Sequence, residues 1–161
     1  MQGGYFSYGL LTALAIALLI AAFTDLRRRE IDNWLNGIIA LGAPLFWLST
    51  GLSLVEIGYQ LAMATATFAI CAVLFAIRVM GGGDVKLLTA LALWIEPLWF
   101  AKLLLVMSVL GGVLTLVFGA WHVARRRRDR IAIPYGIAIS AAGLWVIAGQ
   151  SGAMLPGSAL G

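Results

Sequence analysis

Six continuous apolar stretches dominate the sequence and leave only short polar connections between them. Most approach the roughly 20 residues that a membrane-crossing helix needs, and none alternates as a barrel strand does. With 62% hydrophobic and 11% charged residues, little chain remains for an extramembrane domain. We therefore predict an all-α, polytopic membrane protein with about six transmembrane helices in one domain over residues 1–161. The stretches are Tyr5–Phe23, Trp34–Leu48, Ile57–Ile77, Val85–Ile95, Phe100–Ala120 and Ile133–Ala148.

The basic residues predict how these helices are oriented. Of the eleven lysines and arginines, all except Lys102 fall in the 24–33, 78–86 and 121–132 connections. Connections rich in Lys and Arg stay in the cytoplasm, so both termini are expected outside. The run "RRRRDR" at 125–130 is explained by this orientation and by contact with anionic lipid headgroups, so no nucleic-acid partner is predicted.

Two acidic residues are expected at one membrane depth although they are far apart in sequence. Asp25 directly follows the first apolar stretch, and Asp84 opens the fourth, both on the cytoplasmic side. An ionisable residue at the membrane boundary indicates function. The glycines of "GGGD" at 81–84 weaken a helix, and we expect them to form a loop that dips into the bilayer and lets a substrate backbone approach. Glu30 and Asp32 are expected to pair locally with the arginines before them.

A pair of carboxylates suits acid and base catalysis of hydrolysis. Two carboxylates in a partly dry site cannot both ionise easily, so one keeps its proton as the acid while the other acts as the base. The chain has one histidine and one cysteine, Cys71, which excludes an H-E-x-x-H metalloprotease and a cysteine metal cluster. No metal and no cofactor are predicted.

Three segments resemble type IV prepilin peptidases. They are "FTDLRRREIDNWLN" at 23–36, "GGGDVKLLTALALW" at 81–94, which fits the G-x-G-D signature, and "IAIPYGIAISAAG" at 131–143. The resemblance implies a membrane aspartic endopeptidase that removes the basic leader of a prepilin at the cytoplasmic face of the bacterial inner membrane. It implies Asp25 and Asp84 as the catalytic pair. The supporting motif residues are Gly81, Gly83, Lys86, Asp32, Asn33 and Pro134.

The sequence departs from the family in two ways. Asp32 stands where the family often has proline, and so is a third acid near the site. The cytoplasmic insertion with paired C-x-x-C motifs is missing, so we predict no methyltransferase activity and no zinc. This compact form is similar to the enzymes of Flp-type tight-adherence pili. The predicted partners are a prepilin or pseudopilin and membrane lipids.

Some alternatives stay open at this point. Lys86 has two interpretations, a ligand for a substrate carboxylate or lipid phosphate and a lysine that extends to the interface. The protein as a whole has three other interpretations. They are a small proton-coupled transporter, a non-catalytic assembly subunit that packs through "SVLGGVLTLVFGA", and a preflagellin-type or presenilin-like protease.

Overall fold

The computed structural model describes residues 4–124 and 135–153, which form six helices and no strand. The all-α prediction is confirmed for these residues. By length and composition, three of the helices can cross a membrane, namely α1, α3 and α5 as far as Trp121. The helices are α1 (Tyr5–Arg28), α2 (Asn33–Thr50), α3 (Leu54–Ala76), α4 (Gly82–Ala92), α5 (Pro97–Ala124) and α6 (Tyr135–Ala153).

The first helix continues beyond its apolar stretch, to Arg28. Arginines in the last turn interact favourably with the carbonyl end of the helix dipole, which explains the extension. Asp25 therefore lies within the helix and not after it. Asp25 continues the buried face of α1, because Leu11, Leu14, Leu18, Ala21 and Asp25 follow one another at intervals of three or four residues.

The glycine segment is not the loop that the sequence predicted. Gly81 is the N-cap of α4, and Gly82 and Gly83 form its first turn. Their value is close packing, because a Cβ on Gly82 would lie 3.3 Å from the Phe75 ring and one on Gly83 would lie 3.2 Å from Ile31 Cβ. The glycines therefore let the start of α4 approach its neighbours closely.

The short helix α4 lies at the centre of the bundle and contacts α2, α3 and α6. Helix α6 also packs against α1 and α5, and α1 packs against α2. The second half of α4 is largely buried, with Leu87, Leu88, Leu91 and Ala92 at most 1% exposed. Eleven residues extend about 16 Å, little more than half of a bilayer core of about 30 Å.

Side chains from α2 and α3 satisfy the carbonyl groups at the end of α4. Trp47 Nε1 donates to the carbonyl of Leu93 at 2.8 Å. In the amide orientation that matches donors with acceptors, Gln60 donates to the carbonyls of Ala92 at 2.9 Å and Ile95 at 3.1 Å. In the reverse direction, Trp94 Nε1 donates to the carbonyl of Ile39 in α2 at 2.7 Å. A helix end among apolar side chains needs such partners.

We predict that Trp47→Phe and Trp94→Phe each destabilise the protein by about 1–3 kcal/mol, because the carbonyl of Leu93 or of Ile39 loses a tryptophan donor. Trp145→Phe is the matched control, since Trp145 is 53% exposed, and its effect should stay within about 0.5 kcal/mol. Thermal unfolding of the detergent-purified protein measures the difference. Equal losses in all three variants would contradict a special role for the two tryptophan hydrogen bonds.

Candidate active site

A cavity of about 1100 Å³ lies at the end of the bundle where α1, α3, α4 and α6 meet. It is formed by the end of α1 with the α1–α2 connection, the end of α3 with the α3–α4 connection, and the start of α6. Both Asp25 and Asp84 line it, together with Glu30, Asn33 and all three glycines of "GGGD". The two acids and the glycine motif are therefore brought together.

Asp25 is 5% exposed and lies against the first turn of α6. A Cβ placed on Gly136 would be 2.7 Å from Asp25 Oδ2 and 2.8 Å from Cγ. The carboxylate interacts with the backbone amides of Gly136 and Ile137, and Oδ2 has no hydrogen-bond partner within residues 4–124 and 135–153. A helix N-terminus favours negative charge, so α6 gives this buried carboxylate a suitable electrostatic environment.

Asp84 is half-buried at the third position of α4. Its side chain folds back over the N-cap, because Oδ2 would lie 3.0 Å from a Cβ on Gly81. It also interacts with the Gly81 backbone amide, and its carboxylate is close enough to that of Asp25 for the two charges to repel. The structure thus brings two carboxyl groups to one cavity, with Asp25 against the N-terminus of α6 and Asp84 in the first turn of α4.

Ile31 fixes the spacing between these two helix starts. It is 7% exposed, and its side chain packs against Gly83 of α4 and against Gly136 of α6, where a Cβ would be 2.9 Å from Ile31 Cδ1. No sequence pattern singled out Ile31, and Gly136 appeared only as part of the segment at 131–143. The available signal was a single isoleucine in the otherwise polar run "RRREIDN".

Two arginines that line the cavity have left-handed backbone conformations. Arg29, which caps α1, has φ 55° and Arg78 has φ 61°. Arg78 follows the end of α3 in a Schellman arrangement, with N–H groups of Arg78 and Val79 bonded to the carbonyls of Phe75 and Leu74 at 2.9 Å. Such a conformation costs a residue with a Cβ roughly 1–2 kcal/mol, and strain of this kind clusters at functional sites.

The other predicted site residues differ in position. Lys86 Nζ donates to Asn33 Oδ1 at 2.7 Å and so joins α4 to the start of α2. Asp32 is the N-cap of α2 and does not line the cavity, whereas Glu30, for which only local pairing was expected, does. Pro134 lies outside the described residues.

Tyr135 anchors the first turn of α6 beside the cavity. Its ring packs on α5, where a Cβ on Gly111 would be 2.8 Å from Tyr135 Cε1, and its hydroxyl lies 3.2 Å from Thr115 Oγ1. The sequence gave no signal for this contact.

Two carboxyl groups that line one cavity are chemically able to act as a proton donor and a proton acceptor. A carboxyl that holds a proton donates it and a carboxylate accepts one, so the pair supplies both an acid and a base. Among the residues of the described ranges, no group of three or more His, Cys, Asp or Glu is placed to hold a metal ion.

We predict that Gly136→Ala destabilises the protein by about 1–3 kcal/mol, because the added methyl group meets both the Asp25 carboxylate and Ile31. The matched control is Gly112→Ala in α5, where a Cβ meets nothing within 4 Å. There alanine should be neutral or stabilise the helix by up to about 1 kcal/mol. Thermal unfolding in detergent measures both, and a Gly136→Ala variant as stable as the control would refute the close contact.

Comparison with known proteins identifies the family. A model described as the type IV leader peptidase family matches residues 12–116, about two thirds of the 161-residue chain. The matched region includes Asp25, Asp84 and the glycine motif. Searches of curated proteins and of solved structures gave no match. The chain therefore belongs to the type IV leader peptidase family, as a membrane protein with the peptidase character of that family.

Proposed function

We propose that this protein is an aspartic endopeptidase that removes the basic leader of Flp-like prepilins or pseudopilins at the cytoplasmic face of the bacterial inner membrane. One observation carries the proposal. Asp25 and Asp84, which are 59 positions apart, face one cavity at the end of the bundle that also holds Arg29 and Arg78. Carboxylates and positive-inside charges at the same end support a cytoplasmic active site.

The proposed reaction uses one proton shared between the two aspartates. The ionised carboxylate takes a proton from water as the water oxygen bonds to the scissile carbonyl carbon, and the protonated one donates to the carbonyl oxygen. The carbon–nitrogen bond then breaks as the carboxyl that received the water proton passes it to the leaving amine. The other carboxylate takes a proton from a hydroxyl of the tetrahedral intermediate, which leaves a carboxylic acid product and restores one proton on the pair. Because the carboxylates repel each other, they titrate as a pair, and the proton belongs to both.

The glycine motif supports access of the peptide to the carboxylates. Gly81 is exposed on the cavity and has an extended backbone with φ −74° and ψ 146°. Without a side chain there, an extended peptide can approach Asp84 closely. Gly83 acts differently, by packing on Ile31.

We infer that all six helices belong to the membrane domain and that both termini lie outside. Helices α1, α3 and α5 carry the apolar length for crossing, and α4 compensates for its shortness by lying inside the bundle. Its start is therefore below the membrane surface. The irregular α3–α4 connection at 77–81 then lies at that depth too. Such backbone is tolerated inside a membrane where it lines a water-filled cavity, and water is a reactant in hydrolysis.

The short α1–α2 connection supports a peptidase without methyltransferase activity. Only residues 29–32 separate α1 from α2, and the one cysteine, Cys71, is buried in α3. Neither a C-x-x-C zinc site nor an inserted domain fits this connection.

Glu30 in the same connection places an exposed carboxylate on the cavity, which suits a basic leader better than the arginines beside it.

We predict that Asp25→Asn and Asp84→Asn each reduce leader cleavage at least about 100-fold, since asparagine keeps the shape but cannot exchange the proton. Asp32→Asn, the third acid of the segment, should lower cleavage far less because it does not line the cavity. A co-expressed Flp-like prepilin, followed by gel shift, measures cleavage.

Cleavage by membrane-inserted Asp25→Asn or Asp84→Asn protein would reject the dyad. Loss in Asp32→Asn alone would transfer the role of Asp25 to that residue. Proton flux in proteoliposomes that depended on Asp84, without cleavage, would favour the transporter. If both aspartates tolerated asparagine without flux, a non-catalytic assembly subunit would be favoured.

We predict that Lys86 acts through Asn33. The singles Lys86→Met and Asn33→Ala should each reduce cleavage by about fivefold, the scale of an exposed charged contact, and the double variant should be no worse than either single. If the loss of cleavage in the double variant equalled the product of the two single losses, the two residues would not be coupled. A loss confined to Lys86→Met would support direct binding of a substrate carboxylate instead.

A further inference from the structure

A second cavity lies at the opposite end of the bundle from Asp25 and Asp84. Its volume is about 460 Å³, within the range of small-molecule sites. It is open on one side and is lined by the end of α2, the start of α3, the segment that joins α4 to α5, and the end of α6. No part of the proposed peptidase mechanism uses this cavity.

The lining combines acidic and aromatic side chains. Glu56 and Glu96 supply two carboxylates, and Phe46, Tyr59 and Trp94 supply aromatic rings. Within the described residues, no Lys, Arg or His lines the cavity. Negative charge beside aromatic faces is the chemistry that recognises an organic cation.

Some polar groups that line this cavity have hydrogen-bond partners in the protein, and others do not. Gln60 uses its amide nitrogen on the α4 carbonyls, and Glu56 accepts from the Ser53 backbone and hydroxyl through Oε2 alone. Gln150 is 5% exposed, yet its amide makes no hydrogen bond with any residue that the structure describes. Glu96 is exposed at the rim of the cavity, and its carboxylate has no hydrogen bond or ion pair within the described part of the chain.

The Gln150 amide is not among the fully buried unpaired polar atoms of the described residues, so a ligand or water in the cavity can reach it. Gln150 offers an acceptor oxygen to the same space as the two carboxylates. A group with several N–H donors and a positive charge would satisfy all three, and a primary ammonium has three such donors. An inorganic cation fits less well, because the aromatic rings give it no ligands and no group of three or more His, Cys, Asp or Glu within the described residues is placed to hold a metal ion.

We propose that this cavity binds a primary alkylammonium group, with Glu56, Glu96 and Gln150 accepting its N–H groups and the aromatic rings covering its hydrocarbon. The amine comes from a membrane lipid headgroup or from a soluble amine, which share this chemistry. The inference rests on the geometry of this end of the bundle and is independent of the leader peptidase mechanism.

The test compares amines by thermal unfolding of the detergent-purified full chain. Ethanolammonium chloride should raise the unfolding temperature, whereas choline chloride, which has no N–H donor on nitrogen, and sodium chloride at the same concentration should not. In Glu96→Gln and in Gln150→Leu, about ten times more ethanolammonium should be needed for the same rise in unfolding temperature. Glu30→Gln, the same change at the other cavity, should leave the effect intact.

Lipid nanodiscs separate the two sources. A stabilisation by dioleoylphosphatidylethanolamine over dioleoylphosphatidylcholine that Glu96→Gln removes supports the lipid, and an effect of free ethanolammonium alone supports a soluble amine. Equal responses to ethanolammonium, choline and sodium would overturn the proposal. So would loss of the response in Glu30→Gln with Glu96→Gln unaffected, because the amine would then bind at the other cavity. Leader cleavage by Glu96→Gln should match the parent, so this result is separate from the test of the aspartates.

Discussion

The hydrogen-bonding requirement of one short helix governs much of this fold. Helix α4 is surrounded by apolar side chains, and its last carbonyls would be costly without donors. Trp47 and Gln60 supply those donors from α2 and α3, and Trp94 returns a bond to α2. These contacts fix the depth and rotation of α4. Because Asp84 lies in the first turn of that rigid element, its position follows from hydrogen bonds made near the other end.

The second carboxylate depends on steric fit. Asp25 continues the buried face of α1 and meets α6 where the absence of a side chain at Gly136 leaves room for its oxygen atoms. Ile31 then sets how closely the starts of α4 and α6 can approach. The two acids therefore reach the same cavity through unrelated local causes, a helix fixed at its far end and a close contact between side chain and backbone.

The sequence predicted the parts of this arrangement that repeat over many residues. Apolar runs gave all six helices, and the charge distribution together with the G-x-G-D pattern placed Asp25 and Asp84 at one end. Single contacts could not be read in the same way. The role of Ile31, the close approach at Gly136 and the bond from Lys86 to Asn33 depend on how distant segments pack. The glycines were misread as a loop because their helix-weakening tendency is local, whereas the close packing that favours them is tertiary.

The length of α4 has a consequence for both ends of the molecule. Helices α1 and α5 have 24 and 28 residues, whereas α4 has 11. The short helix therefore leaves space in the bundle beyond each of its ends. The aspartate cavity is lined by the residues at the start of α4, and the acidic and aromatic cavity by those that follow its end. Both cavities therefore have the same cause, which is that α4 is too short to fill the bundle along its whole length. A helical turn adds about 5.4 Å, so lengthening α4 at either end would reduce the space in the cavity on that side.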